Sequence, residues 1–383
     1  MENLNKDKIL FLINSIPPDY GGGYLRAFRM ASRFLEKGIF GGIITLTNKK
    51  RYDEVLYEIK KKDIIFLKTN FILPIYMFLS IIKWNKSFNT IYVVSIHWYS
   101  LFAVLACKLL KKKVIIGITL SGVDSPAISS KNIFINIYYK FKNLQFKLAD
   151  KIVVNSPLVF DECIEVGYNK NKIEFIPNPV DIERFYPCQN INKKNDLREK
   201  IGIPLKNITI LFVGSINARK GVDKFPFIFK ELLRDKNKSY TLLLCGDLKR
   251  NESQKIIKSI EAVFKNKKNN STFYFLGKVD KICELMRASD LFLFPTTNEG
   301  LPNVVLEAMA SGLPVIASRL EGITDYLLED VALVNTNDTC EFINKVQNFN
   351  LNLSLYNQQA IRNRKFIEDT MSISKIDKLF LKI

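Results

Sequence analysis

Two glutamates bracket the run Glu299-Gly-Leu-Pro-Asn-Val-Val-Leu-Glu307. They stand eight positions apart, just over two helical turns if all of it were helical. The sequence around them predicts a buried strand ending at Phe294, a loop with Glu299-Gly300 at its tip, and Pro302 near a helix start. The helix covers about Asn303–Ala310 and stops at Gly312. Unpaired N–H groups at such a helix start suit a diphosphate. One carboxylate can then face the sugar end of a ligand and the other its ribose end. Taken alone, Glu299 reads equally well as a solvated surface glutamate.

Other residues could join this chemistry. Arg219 and Lys220 follow a strand ending at Val213-Gly214. Two adjacent cations there can bind a diphosphate and neutralise charge that grows on it as a glycosidic bond breaks. Gly21, Gly22 and Gly23 follow the first strand and precede the helical stretch Tyr24–Glu36. Their missing side chains allow a phosphate or sugar close to the backbone, or simply give a flexible turn. His97, the only histidine, sits at a strand's carboxyl end, as a site residue or a structural one. No G-x-G-x-x-G and no Walker A sequence occurs, which argues against NAD and ATP. No D-x-D occurs either, so no metal-bridging carboxylate pair is expected, and no cofactor.

Strands must position these loops. Short apolar runs fall near Lys8–Asn14, Gly42–Leu46, Ile64–Leu67, Ile91–Ile96, Val114–Leu120, Lys151–Val154 and Ile173–Ile176. A second series falls near Ile208–Val213, Tyr240–Cys245, Phe273–Leu276, Asp290–Phe294, Pro314–Ala317 and Val331–Val334. Runs such as Leu-Phe-Leu-Phe are apolar on both faces, as strands of a covered parallel sheet must be. Alternation with helix-patterned stretches predicts two doubly wound α/β units. Ligands then bind beyond the strands' carboxyl ends. The polar stretch within Pro187–Pro204 is read as the boundary. The expected domains are 1–186, 187–366, and a C-terminal helix over 367–383 that packs back on the first domain.

Composition agrees and narrows the partners. Of 383 residues, 47% are hydrophobic, which excludes a disordered chain. The net charge of +19 points to an anionic partner: nucleic acid, a membrane surface or a phosphorylated ligand. Six dispersed cysteines without a C-x-x-C pair read as reduced thiols of a cytosolic protein. The apolar run Ile9–Ile13 is too short for a signal peptide core. The longest apolar stretch, Phe71–Ile82, is broken by Pro74 and falls short of the roughly 20 residues a spanning helix needs.

The motifs together resemble glycosyltransferase family 4, retaining enzymes with the GT-B fold of two Rossmann-like domains facing across a cleft. Glu299–Glu307 resembles its E-x7-E element. Phe212-Val-Gly-Ser-Ile-Asn-Ala-Arg-Lys-Gly221 is similar to its F-V-G-x-L…K-G segment, and Pro177-Asn-Pro-Val-Asp-Ile-Glu-Arg-Phe185 to its P-N-G-V-D…F segment. Phe275-Leu-Gly-Lys-Val279 and Gly21–Gly23 also fit, so the resemblance runs from Lys8 to about Asp325. It implies that Glu299 contacts the donor sugar and Glu307 the ribose hydroxyls. Gly300, Leu301, Pro302 and Asn303 would offer backbone donors to sugar and phosphate. Gly22, Gly23 and Gly214 would line the donor site, with Lys278 and Val279 against the base. Arg219 and Lys220 would replace a metal.

Three places depart from the family pattern. The family's T-x-H-G appears as Thr119-Leu-Ser-Gly122, with Ser121 in place of the histidine and Asp124 nearby as a polar helper. Cys245-Gly-Asp247 stands where Gly-x-Gly is common, and Glu321-Gly-Ile-Thr-Asp325 where G-G-x-x-E is common.

The implied function is retaining, metal-independent transfer of a sugar from a UDP-linked donor. The acceptor is a glycan or lipid-linked oligosaccharide, in bacterial surface polysaccharide synthesis. Lys131–Lys147 interleaves lysines with aromatics and has no acid. With Lys111-Lys-Lys113 and Phe71–Trp84 it suits an anionic membrane surface, or it is the solvated face of core helices. The rival readings are a nucleotide-sugar epimerase or phosphorylase, a nucleic-acid-binding module, and a non-catalytic partner subunit. An epimerase would act on donor alone, and the chain carries no motif that reads nucleic acid.

Overall fold

The computed structural model describes residues 7–18, 22–53, 57–94, 96–118, 133–248, 251–267, 269–299, 301–320 and 333–383. The chain divides into two compact units. The first holds seven parallel strands: β1 (Ile9–Leu12), β2 (Phe40–Thr45), β3 (Ile64–Phe66), β4 (Thr90–Val93), β5 (Lys113–Ile118), β6 (Lys151–Val154) and β7 (Ile173–Phe175). Their order is β3-β2-β1-β4-β5-β6-β7. The second holds β8 (Ile208–Val213), β9 (Tyr240–Cys245), β10 (Thr272–Gly277), β11 (Leu291–Phe294), β12 (Val315–Arg319) and β13 (Leu333–Asn335), in the order β10-β9-β8-β11-β12-β13. These strands overlap the thirteen segments expected from sequence.

The apolar runs become the central, covered strands. All four residues of β11 and all six of β9 are buried, because helices cover both faces of the sheet. In each unit the order reverses beside the first strand, between β1 and β4 and between β8 and β11. That reversal leaves a crevice beyond the carboxyl ends.

The division of the chain differs from the expected one. It falls at Pro177/Asn178 instead of 186/187. The polar stretch read as a boundary is a helix, Ile191–Ile201, belonging to the second unit. It lacks an apolar period because polar contacts hold it. The Asn190 side chain caps it by accepting from Lys193 N, 2.9 Å away. Its Arg198, 4% exposed, reaches Ala288 O and the Asp290 carboxylate.

The C-terminal segment also divides elsewhere than expected. Residues up to Ile376 belong to the second unit, with Val180 bridged to Ser372, and only Asp377–Ile383 belong to the first. There the buried Asp377 pairs with Arg33 at 2.8 Å and Lys37 at 2.6 Å, and the Phe380 ring lies 4.8 Å from that of Tyr92. Burial would raise the Asp377 carboxyl, but bonds from Arg33 and Lys37 bring it below the usual range.

Asp290 ties the two central strands of the second sheet together. Just before β11, its carboxylate accepts from Arg198 (2.6 Å), Lys194 (2.6 Å) and Thr209 N of β8 (2.8 Å). Burial would raise this carboxyl, yet Lys194 and Arg198 together hold it below the usual value. Asp290→Ala leaves Arg198 buried without its counter-charge. We expect a loss of about 3 kcal/mol in urea unfolding. The group's folded value is depressed, so the difference is complete above about pH 4 and shrinks as pH falls through that value.

Candidate active site

The site grows from the crevice between β8 and β11, which pair through Ile210–Leu291 and Leu211–Phe292. The loop after β8 begins at Gly214, whose amide donates to Cys245 O at 2.9 Å. A short turn follows over Ala218–Lys220, capped by Asn217 Oδ1, which accepts from Lys220 N at 3.0 Å. The turn ends at Gly221, whose φ is +71°. A Cβ there would lie 1.8 Å from Pro295 O, so glycine lets the two loops touch. Arg219 O then receives Thr297 N at 2.9 Å and Thr297 Oγ1 at 3.0 Å.

This stitching brings three predicted residues together. Lys220 Nζ donates to Glu299 Oε1. Arg219 Nη1 donates to the same oxygen at 3.1 Å and to Asn298 O at 2.8 Å. Thr296 Oγ1 lies 3.2 Å from that oxygen and 3.0 Å from Arg219 O, and its one proton serves one of them at a time. The Lys220 ammonium also lies 5.3 Å from the centre of the Phe294 ring. Lys220 and Glu299 are largely buried, while Arg219 is half exposed. Burial pulls the Lys220 ammonium below the ordinary lysine range, and the Glu299 carboxylate partly restores it.

The other residues expected at the donor follow β8, β10 and β11. Leu301 and Pro302 are buried, and Pro302 caps the helix Asn303–Ala310 without a side-chain bond to its first turn. Half-buried Glu307 lies on the second turn of that helix. Exposed Lys278 and half-buried Val279 follow β10, and β9 separates that strand from β8. Gly214 packs near the cluster, since a Cβ on it would be 3.8 Å from Lys220 Cδ. A cavity of about 390 Å³ opens beside Arg219, lined also by Asn217, Asp247, Glu252 and Ser253. Gly300, Gly21, Ser121, Asp124 and the segment 321–325 lie outside the described residues.

His97, Gly22 and Gly23 belong to the first unit. Gly22 and Gly23 are not a loop before the helix, as expected, but its first turn, because the helix starts at Gly22. The His97 ring stacks on Tyr99 at 5.0 Å. Its carbonyl accepts from Gln145 Nε2 at 2.7 Å and Ser100 Oγ at 2.6 Å. Tyr99 OH in turn accepts from Asn14 Nδ2 at 2.8 Å, joining the loops after β4 and β1. Burial pushes the Tyr99 hydroxyl up to about 12.

Sequence reasoning assigned no role to one residue of this site. Asn178 is buried, and its Nδ2 donates to Leu301 O at 3.1 Å and Asn303 Oδ1 at 2.6 Å. It therefore fixes the loop that carries Glu299 to the helix start. Its signal was the Pro177–Phe185 segment, which marked a motif without saying what the asparagine touches.

Comparison with known proteins bears on the family and the fold. Residues 20–184 match the model of Glycosyltransferase Family 4, and residues 207–350 that of Glycosyl transferases group 1. The chain belongs to glycosyltransferase family 4. A UDP-Gal:alpha-D-GlcNAc-diphosphoundecaprenol alpha-1,3-galactosyltransferase of Escherichia coli is 30% identical over 188 residues, 48% of this glycosyltransferase. The match spans 46% of that enzyme, under half its length. An uncharacterized 41.2 kDa protein from the cps region of Klebsiella pneumoniae is 27% identical over 68% of this chain and 70% of its own. Among solved structures, Anabaena Alr3699/HepE in complex with UDP superposes with a TM-score of 0.79 at 18% identity, over 98% of each chain. WaaG, a glycosyltransferase involved in lipopolysaccharide biosynthesis, gives 0.64 at 18% identity over 97% of this chain and 98% of its own. The fold is thus GT-B, two parallel-sheet α/β units of seven and six strands.

Proposed function

We propose that this glycosyltransferase moves a sugar from a UDP-linked donor, with retention and without a metal, to a glycan or lipid-linked oligosaccharide of a bacterial surface polysaccharide. The carrying observation is the cluster of Lys220 and Arg219 on Glu299 Oε1 beside the β8/β11 crevice. A donor diphosphate competes with Glu299 for both cations. Once they turn to phosphate, the carboxylate is free to accept from hydroxyls of the donor sugar. The bond from the anomeric carbon to the diphosphate oxygen breaks, and the acceptor oxygen bonds that carbon on the same face. The acceptor proton passes to the departing diphosphate, and Lys220 and Arg219 neutralise the charge that grows there.

Glu307 serves the ribose hydroxyls in this reading, Lys278 and Val279 the base, and Gly214, Gly300, Leu301, Pro302 and Asn303 the sugar and phosphates. Gly22 and Gly23 serve the donor's phosphate or sugar in this reading, and His97 the reacting sugar. The cationic pair and the lack of D-x-D support metal independence. The E. coli relative's named donor and diphosphoundecaprenol acceptor support the substrate classes. UDP and UDP-glucose complexes of the Anabaena structure support the nucleotide.

Thermal melting with UDP-, GDP- and ADP-sugars tests the donor. Ligand at 100 times Kd stabilises the native state by about 2.7 kcal/mol, a melting shift of several degrees. We expect it for a UDP-sugar alone, and no shift with any of the three would refute the reading. Proton NMR of the product then reads the configuration at the transferred anomeric carbon, where inversion would refute retention.

A further inference from the structure

Two helices on one side of the first sheet carry rows of exposed apolar side chains on their outer faces. In the helix Leu73–Lys83, Leu73, Met77 and Ile81 are buried in the core. On its outer side stand exposed Ile75, Leu79 and Ile82, with Phe71 two positions before the helix and 90% exposed. In the helix Ile133–Leu148, Gln145 and Phe146 point inward, while Phe134, Ile137, Phe141 and Leu144 are exposed, Phe134 to 77%. The helix Ser100–Leu109 packs against both, and all three contribute to the same core cluster. The two exposed stripes therefore lie on the same side of the unit. Helical spacing of three and four on an outer face is a designed pattern, not scattered exposure.

Charge decides what covers them. From Lys68 to Ala149 the chain carries eleven lysines and one acid, Asp124. Lys83 and Lys86 close the first stripe, and Lys140 and Lys147 flank the second. The latter two line a cavity of about 870 Å³ together with Lys172, Asn143 and Tyr168. A second copy laid on this face would set lysine against lysine. An interface that is apolar below and anionic above accepts the apolar side chains and the lysine heads together.

We infer that this face, formed by the helices Leu73–Lys83 and Ile133–Leu148, docks on an anionic lipid bilayer, with the lysine-lined cavity taking a lipid headgroup. No helix among the described residues is long and apolar enough to cross a membrane, so the contact is one of the surface. The inference stands apart from the transfer chemistry, since vesicle binding needs no donor.

Vesicle flotation of the full chain tests it, with phosphatidylcholine alone and mixed with phosphatidylglycerol. Recovery is expected with the mixed vesicles and near background with phosphatidylcholine. Leu79→Glu and Phe141→Glu are each expected to lower partitioning at least about tenfold, the scale of withdrawing one large apolar side chain. Lys140→Gln and Lys147→Gln are expected to lower it about fivefold each. All four should keep the melting shift produced by donor, which separates failure of the face from failure of the site. Equal recovery with both lipids, no recovery at all, or undiminished binding by Leu79→Glu and Phe141→Glu would overturn the inference. A dimer in solution that Leu79→Glu dissolves would overturn it too, in favour of a second copy.

Discussion

Lys220→Ala is expected to lower turnover at least about 100-fold, and Glu299→Ala by a similar factor. The scale is that of removing one contact whose strength is realised where charge develops. Lys220 is costly to keep charged in its buried place and offsets that cost through an anion, Glu299 in this structure and, in the proposed reaction, the donor diphosphate. Removing it leaves the departing diphosphate with Arg219, which is half exposed and screened by solvent. Removing Glu299 instead leaves the two cations without their internal anion and the sugar without its acceptor. The residues act as a unit, so the double variant should lose far less than the product of the single losses.

The same residue gives a pH signature. The Lys220 ammonium must be protonated to hold phosphate, and burial places it below the ordinary lysine range. Donor affinity is therefore complete below that lowered value and falls as pH rises through it. Lys220→Arg keeps its charge and should move this alkaline limb upward. Steady-state kinetics from neutral to alkaline pH would measure it. Turnover of either alanine variant within a few-fold of wild type, with an unchanged circular dichroism spectrum, would remove these residues from the chemistry.

Gly221→Ala should damage the second unit severely. The positive φ of +71° costs an L-residue about 1–2 kcal/mol. The added Cβ would fall 1.8 Å from Pro295 O and 2.5 Å from its carbon, both backbone atoms of the neighbouring loop. Forcing them apart adds about 1–3 kcal/mol and spreads the loops that hold Lys220 to Glu299. We expect a loss of about 2–5 kcal/mol in urea unfolding together with loss of turnover. Gly202→Ala is the control. Its φ is +80°, yet nothing lies within 4 Å of its Cβ position. It should cost only about 1 kcal/mol and leave turnover intact. If the two variants behave alike, the contact between the loops has no special weight.

What could be read before any coordinates were seen follows from local physics. Runs such as Leu291–Phe294, apolar at every position, read as strands covered on both faces, and with less uniform apolar runs they made thirteen strand segments legible. The rule that ligands sit past strand ends then pointed to Arg219, Lys220 and Glu299, and the spacing of Glu299 to Glu307 pointed to the family. Strand pairing was not legible, because a strand's own sequence does not name its neighbour. β11 lies beside β8, with β9 and β10 on β8's other side. That order alone brings residues 219 and 220 to Glu299 across about eighty positions of chain.

Other features also needed the tertiary structure. The helix Ile191–Ile201 was hidden because caps and the Arg198–Asp290 pair hold it, and those partners lie some ninety residues away. Asn178 was hidden because a side-chain amide shows its worth only when the backbone it holds is beside it. The apolar stripes of Leu73–Lys83 and Ile133–Leu148 were visible as composition. Which residues face the core and which face outward was settled only by packing: Leu73–Lys83 is apolar nearly all round, and Ile133–Leu148 buries Lys142 and Gln145 while exposing Phe134 and Phe141.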